Sequence, residues 1–99
     1  MTNLSTIYTT QKNVTTSGTP VQLSSQPVPS GVSLVLKAKS ANTGVITVGS
    51  SSANALNSGT TSLRLSAGEF WGFQVENASA IWIDSTVNGE GVEIGFEQS

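Results

Sequence analysis

The groups in this sequence with the most obvious capacity for chemistry are its carboxylates, which crowd into the last third of the chain. A close pair of carboxylates could act as the acid and base of a glycosidase, and a cluster of them could bind calcium. The six are Glu69, Glu76, Asp84, Glu90, Glu93 and Glu97. Alternation puts Glu93 and Glu97 on an outward strand face, turn residues surround Glu69 and Glu90, and no D-x-D-x-D-G calcium loop is present. We therefore expect solvated surface groups, with no catalytic pair and no metal site.

The composition removes most other catalytic chemistry. The sequence contains no Cys and no His, so disulfides, thiol nucleophiles, His-based triads and Cys/His zinc sites cannot form. A Ser–Lys dyad would have to use Lys12, Lys37 or Lys39. The N-G-E-G turn at 88–91 lacks the lysine of a phosphate-binding loop and precedes a strand, whereas such a loop opens a helix. The sequence predicts that the protein is not an enzyme and has no cofactor.

The charge balance argues against nucleic acid and membrane partners. The formal net charge is −2, and the chain has only four basic residues, too few for a phosphate-binding face. The first residues show no basic stretch followed by an apolar run, and no segment approaches about 18 consecutive apolar residues. We expect neither a secretory signal nor a membrane-spanning segment.

Two tryptophans are the aromatic residues most relevant to binding, because aromatic rings stack on sugars and anchor protein interfaces. Trp71 alternates in phase with Phe73, so we predict that it packs in the core. Trp82 lies out of phase with its neighbours Ile81 and Ile83, so we predict that it reaches the surface, where it would contact a subunit or a ligand.

These residues must be positioned by strands, because the composition disfavours helices. The 99 residues include 16 Ser, 12 Thr and 10 Gly, while only 10% are charged. Short alternating segments with turn signals every 8 to 12 residues or so are typical of sandwiches and small barrels. We predict an all-β fold: a single small β-sandwich, jelly-roll-like, of about seven or eight antiparallel strands.

The clearest predicted strand is 31–39, which places Val32, Leu34, Leu36 and Ala38 on one face. The N-T-G turn at 42–44 predicts a hairpin between this strand and 45–49, and the A-G turn at 67–68 predicts a second hairpin between 62–66 and 69–76. Segments 80–84 and 92–96 complete the set, and 50–60 is predicted to be an exposed loop. The predicted core comprises Leu34, Leu36, Ile46, Val48, Leu63, Leu65, Trp71, Phe73, Ile81, Ile83, Val92, Ile94 and Phe96.

The N-terminal third is polar and has little core-forming power. We predict that residues 1–12 form a flexible arm that orders only on assembly, and that 13–99 form the sandwich, with short strands at 14–16 and 21–24. Three apolar side chains of the arm, together with Trp82, are the candidate interface: Leu4, Ile7 and Tyr8.

Residues 32–96 resemble small virion proteins of tailed bacteriophages. The resemblance rests on a K-A-x-S-x-N-T-G-x-I-x-V-G pattern at 37–49, an L-x-A-G-E pattern at 65–69 and an I-D-x-x-V-N-G-E-G-V pattern at 83–92. Proteins with these patterns occur among head decoration and tail-associated components. The resemblance implies a structural protein on the capsid surface of a virion, made in the host cytoplasm, that binds the major capsid protein as a homo-oligomer, with a trimer favoured.

Two other functions compete with capsid decoration. One is a carbohydrate-binding or host-recognition module of a tail fibre, with Trp71, Trp82 and the 50–60 loop at its site. The other is an enzyme, which would need a cleft that brings two of the acidic residues together. We favour decoration over the tail-fibre module, and both over the enzyme.

Overall fold

The protein is an all-β sandwich of two antiparallel four-stranded sheets, as seen in a computed structural model that describes residues 9–59 and 62–98. The eight strands of this part of the chain are β1 (Thr9–Asn13), β2 (Val21–Gln22), β3 (Val32–Ala38), β4 (Ile46–Gly49), β5 (Leu63–Leu65), β6 (Phe70–Phe73), β7 (Trp82–Ser85) and β8 (Gly91–Gln98). Sheet A has the order β1-β8-β3-β6, and sheet B has the order β2-β7-β4-β5. The predicted all-β sandwich of seven or eight strands is confirmed.

The strand pairing is that of a jelly roll. β1 pairs with β8, β2 with β7, β3 with β6 and β4 with β5, all antiparallel, as in one long hairpin folded back on itself. Two further pairings, β3 with β8 and β4 with β7, close the two sheets. The connections at 14–20, 39–45, 66–69 and 86–90 all lie at one end of the sandwich, where Gly91 pairs with Asn13, Phe70 with Lys37, and Ile46 with both Leu65 and Ser85. We call this end the motif end, because it contains the turns of all three resembling sequence patterns.

One hydrophobic core lies between the sheets. Strand β3 alternates as its sequence predicts, with Leu34, Leu36 and Ala38 fully buried. Val92 and Ile94 of β8 face them from the same sheet, while Ile46, Val48 and Ile83 come from sheet B. Leu65 of β5 and four residues outside the strands complete the core: Val14, Leu23, Ala78 and Ile81. Each fully buried aliphatic side chain of this kind contributes roughly 1.5–3 kcal/mol before the entropy cost of ordering it.

Both predicted hairpins are wrong. β3 and β4 lie in different sheets, and so do β5 and β6. The 42–44 turn does not reverse the chain within one sheet but joins β3 of sheet A to β4 of sheet B, and its Thr43 and Gly44 N–H groups donate to the Glu90 carboxylate. The prediction assumed that strands adjacent in sequence pair with each other. In this fold most of the paired strands are far apart in sequence.

The N-terminal boundary also differs from the prediction. Residues 9–12, assigned to a flexible arm, belong to β1 and pair with β8, so they are ordered in the single chain. The strand predicted at 14–16 is absent: Val14 follows the end of β1 and donates its N–H to the Glu90 carbonyl at 2.8 Å. The rest of the predicted arm lies outside the described residues.

The predicted 50–60 loop contains a short helix, α1 (Ser52–Ala55), which lies over the outer face of sheet B. Ser51 caps it by accepting the Asn54 N–H, and Ala55 is buried. Gly49 is required beneath it, because a Cβ there would lie 2.5 Å from the Asn54 carbonyl carbon. A 3₁₀ turn (Ala78–Ala80) precedes β7. None of the helices in the described ranges has the length and apolar content needed to cross a membrane.

Candidate interaction surface

Glu90 joins two connections at the motif end through hydrogen bonds. Its carboxylate accepts the Thr43 N–H at 2.6 Å, the Thr43 hydroxyl at 2.8 Å and the Gly44 N–H at 2.9 Å. Close by, the Asn42 side-chain amide donates to the Gly91 carbonyl at 2.9 Å. The resembling patterns at 37–49 and 83–92 are therefore in direct contact, and their polar residues bond to each other.

These bonds lower the pKa of the Glu90 carboxyl below its ordinary value of 4.5. The Thr43 N–H is the largest cause, and the Gly44 N–H and the Thr43 hydroxyl act in the same direction, while partial desolvation opposes them. Hydrogen bonds to the charged form favour that form. Glu90 is therefore a structural anion that holds a turn.

Asp84 is the carboxylate whose position differs most from the sequence prediction. It lies on the outer face of sheet B, as its alternation with Ile83 predicts, but it is fully buried instead of solvated. Its oxygens accept three backbone N–H groups: from Gly18 at 3.0 Å, from Asn57 at 2.8 Å and from Ser85 at 2.8 Å. Asp84 thus ties the 14–20 connection and the segment after α1 to the sheet beneath them.

Asp84 and Glu93 lie on opposite sides of the sandwich. Asp84 is buried on the outer side of sheet B, whereas Glu93 is exposed on the outer side of sheet A, since its neighbour Ile94 points into the core. Glu69 accepts the Ser66 N–H at 2.7 Å within the tight turn before β6. No group of three or more acidic side chains that could hold a metal ion occurs within residues 9–59 and 62–98. Glu69, Asp84 and Glu90 each accept backbone N–H groups.

The surface feature that sequence patterns missed is a pair of exposed aromatic side chains on β6. Phe70 is 62% exposed and Trp71 is 53% exposed. Trp71 does share the inward face, because it is the cross-strand partner of Leu36, but β6 is the outermost strand of sheet A and its indole ring extends past the core. The prediction that Trp71 packs in the core is therefore wrong. We call residues 70–73 the aromatic edge.

A groove of about 480 Å³ adjoins the aromatic edge. Its walls are the outermost strands of the two sheets, β5 and β6, which lie on the same side of the sandwich. Leu63 and Leu65 provide apolar lining, Arg64 and Glu69 provide charged groups, and Trp71 borders it. The Arg64 guanidinium also donates to the Asn57 carbonyl at 2.8 Å, which orients it. Apolar surface beside a few polar groups is typical of binding sites.

The outer face of sheet A carries a second, shallower depression of about 680 Å³. Its floor includes the cross-strand row Thr9, Gly95 and Val35, in which the glycine leaves the sheet surface open. Its rim carries charges of both signs, from Lys37, Glu93 and Glu97. This face is larger than the groove but more polar.

Of the four sequence-predicted interface residues, the structure describes one, Trp82. Trp82 is half-buried on the outer face of sheet B, between Gln22 of β2 and Gly49 of β4. Its side of the sheet is the one that α1 covers. Leu4, Ile7 and Tyr8 lie outside the described residues. The sequence pointed to the aromatic edge only through Trp71, as part of the alternative sugar site, because only the sheet order shows that β6 is outermost.

A scan against protein-family models, a search of curated proteins and a search of solved structures each found no significant match to this chain.

Proposed function

We propose that this chain is a structural protein of a tailed-bacteriophage virion, and within that class a decoration protein that binds the head surface as an oligomer and stabilises it. The partner is the major capsid protein, and a trimer is the favoured form of the oligomer. Both details derive from the resemblance of residues 32–96 to small phage virion proteins.

The observation that carries this proposal is the combination of a firmly tied sandwich with a large aromatic patch on one edge. In the described part of the chain, the buried carboxylate and the turn carboxylates accept backbone N–H groups, which makes them elements of the scaffold. Phe70 and Trp71, in contrast, expose most of their ring surface. Exposed aromatic residues on a rigid support are typical anchors of protein interfaces.

Capsid decoration also suits the shape of the domain. Both sheets are short and stacked, so a sandwich of this kind offers several flat faces and free edges to neighbouring proteins. The predicted contacts of Leu4, Ile7, Tyr8 and Trp82 with a neighbour remain predictions. The aromatic edge is a further contact surface that we add to them, one that faces another copy of the chain within the oligomer.

The competing function is a carbohydrate-binding or host-recognition module of a tail fibre. One observation favours it: Trp71 is half-exposed and borders a groove that also contains the Arg64 guanidinium and the Glu69 carboxylate. An aromatic ring beside charged hydrogen-bonding groups is an arrangement suited to a sugar.

Locating the protein in particles tests the proposal. Virions of the phage that encodes this chain are purified, its copies are counted by mass spectrometry against the major capsid protein, and its position is found by immunogold labelling. Decoration predicts head labelling and a copy number in simple proportion to the capsid protein. Labelling confined to the tail tip, with few copies, supports the tail-fibre module, and absence from the particles rejects both.

Glycan-array binding separates the two candidates independently. The tail-fibre module predicts sugar binding that Trp71→Ala abolishes, while the control Val87→Ala, at an exposed apolar residue outside the groove, retains it. Decoration predicts no sugar binding by the wild-type chain or by either variant.

A further inference from the structure

The sandwich has four outermost strands, and they differ in how they are protected against pairing with another chain. β1 is polar and carries Lys12, β2 is two residues long and follows Pro20, and β5 is three residues long and carries Arg64. Charges, proline and shortness are the usual protections of a free edge. The aromatic edge, Phe70–Phe73, has no charge and no proline. Within residues 9–59 and 62–98, β6 pairs with β3 alone.

The exposed rings lie on both faces of this unprotected strand. Phe70 and Trp71 are consecutive, so Phe70 stands on the outer face of sheet A and Trp71 on the inner face. A chain that added a strand here would cover apolar surface on both faces at once and would also satisfy the free backbone groups of β6.

We propose that the occupant of this edge is a second copy of the same chain, joined through antiparallel pairing of the two β6 strands with Trp71 on the two-fold axis. In that register Trp71 lies opposite the second copy's Trp71. Phe70 lies opposite the second copy's Gly72, and the reverse pair forms by symmetry. Residues 70 and 72 lie on the same face of β6, because side chains alternate with a period of two. In this register the outer face of one sheet A therefore continues as the outer face of the other, and the paired side chains share a face.

Gly72 is the feature that makes the strand complementary to itself. A Cβ placed on Gly72 would have one neighbour within 4 Å among the described residues, the Ser33 Cβ at 3.7 Å, so the sheet surface above Gly72 is open. The second copy's Phe70 ring can lie over this space, an arrangement in which an aromatic side chain covers a cross-strand glycine. The aromatic pair at the axis adds stabilisation beyond the area that it buries.

Electrostatics permits two copies to meet here although each has a net charge of −2. Residues 70–73 are neutral. With the chain extended on both sides of β6, the nearest carboxylates would be Glu69 of one copy and Glu76 of the other, three residues apart, or roughly 10 Å at about 3.3 Å per residue. That separation exceeds the Debye length of about 8 Å at physiological salt, so their repulsion is weak.

This contact closes after two copies, because an isologous interface uses the same patch on both subunits. It therefore yields a discrete dimer with no free aromatic edge, and not a fibre. It goes beyond the proposed function and does not depend on it: a capsid-bound trimer would need a separate, head-to-tail contact.

Sedimentation equilibrium of the full chain over a wide concentration range tests the proposal. Wild type should show a monomer–dimer equilibrium. Gly72→Lys should raise the dimer Kd roughly tenfold or more, since it places a charge where the second copy's Phe70 would lie. The matched control Gln11→Lys adds the same charge on the same sheet face at the opposite edge, and its Kd should equal that of wild type. Circular dichroism melting checks that both variants remain folded.

Three results would overturn the proposal: wild type that stays monomeric throughout, a dimer that Gly72→Lys leaves intact, or a dimer that Gln11→Lys dissociates. The register has a test of its own, since the chain contains no cysteine. Directly opposite residues have Cα atoms about 4.5–5.5 Å apart, within the range for a disulfide. Trp71→Cys should therefore form a disulfide-linked dimer on mild oxidation, while Ser30→Cys, an exposed control on a connection, should not. Absence of the Trp71→Cys link would overturn the register with Trp71 on the axis.

Discussion

The motif end and the aromatic edge use their residues in opposite ways. At the motif end, the turns contain polar and acidic residues, and these bond to backbone groups of neighbouring turns, as Glu90 does with Thr43 and Gly44. At the aromatic edge, Phe70 and Trp71 leave most of their surface uncovered. The carboxylates, which the sequence offers as candidates for chemistry, hold turns in place. The aromatic residues of β6, which a sequence pattern would assign to a core, are available for binding.

The residues that carry the resemblance to phage proteins are therefore different from the residues that are exposed for binding. The turns that carry the resemblance to phage virion proteins build the connections of a jelly roll, so they report on the fold first. The aromatic edge lies in a four-residue strand between those turns. We expect substitutions at the motif end to change stability and substitutions at the aromatic edge to change association.

The largest expected effect is the loss of Asp84. Asp84→Ala leaves three backbone N–H groups without their acceptor beneath covering loops, and we expect it to lower the free energy of unfolding by roughly 3–5 kcal/mol. Asp84→Asn keeps one carbonyl acceptor and should lose less. Urea denaturation followed by tryptophan fluorescence measures both. An Asp84→Ala protein as stable as wild type would contradict the structural role of this carboxylate.

Two strand glycines offer a matched pair for the comparison. A Cβ at Gly91 would overlap the Lys12 carbonyl and approach Asn13, so Gly91→Ala should cost roughly 2–3 kcal/mol. Gly72→Ala meets only open space and one contact at 3.7 Å, so its stability should stay within about 0.5 kcal/mol of wild type. Thermal melts of both variants and wild type measure the two losses of stability. Equal losses would show that the two regions are equally constrained.

Glu90 should give the motif end a pH-dependent stability. Its folded-state pKa is lowered, so its contribution is fully present above the ordinary value of 4.5 and is lost as the pH falls through the folded-state pKa. Glu90→Gln should lower Tm at neutral pH, and by less than Gly91→Ala does. The gap between Glu90→Gln and wild type should shrink as the pH falls below 4.5. A gap that stays constant with pH would contradict this assignment, and the exposed control Glu93→Gln should change Tm little.

The smallest expected effect on stability comes from the aromatic edge itself. Phe70→Thr keeps a strand-forming residue on an exposed position, so the free energy of unfolding should change by less than about 1 kcal/mol. The same substitution should weaken self-association measurably, because the ring would no longer cover the second copy's Gly72. A large loss of stability would show that Phe70 belongs to the core.

Local alternation predicted the faces of the strands well and their neighbours poorly. The inward residues of β3 and β8 were predicted correctly, because one buried face imposes a period of two. The β3–β4 and β5–β6 hairpins were wrong, because pairing in a jelly roll joins residues far apart in sequence, and a glycine turn does not reveal whether the chain stays in its sheet. Asp84 was placed on the correct face, but no local pattern predicts that loops would cover it.

The site was less predictable than the fold. Trp71 has the phase of a core residue, and its exposure depends on the position of β6 at the end of sheet A, which follows only from the complete strand order. Trp82 was predicted to reach the surface, and its side of sheet B is partly covered by α1, which lies in a segment predicted to be a loop.

Hydrogen–deuterium exchange of the full chain, measured well below and well above the dimer Kd, tests the central claim most directly. The motif end should be protected equally at both concentrations, since its hydrogen bonds form within one chain. Peptides that contain residues 70–73 should gain protection only at the higher concentration. A gain confined to the motif end or to the strand of Trp82, or no gain at any concentration, would contradict the assignment of the aromatic edge as the surface that binds a partner.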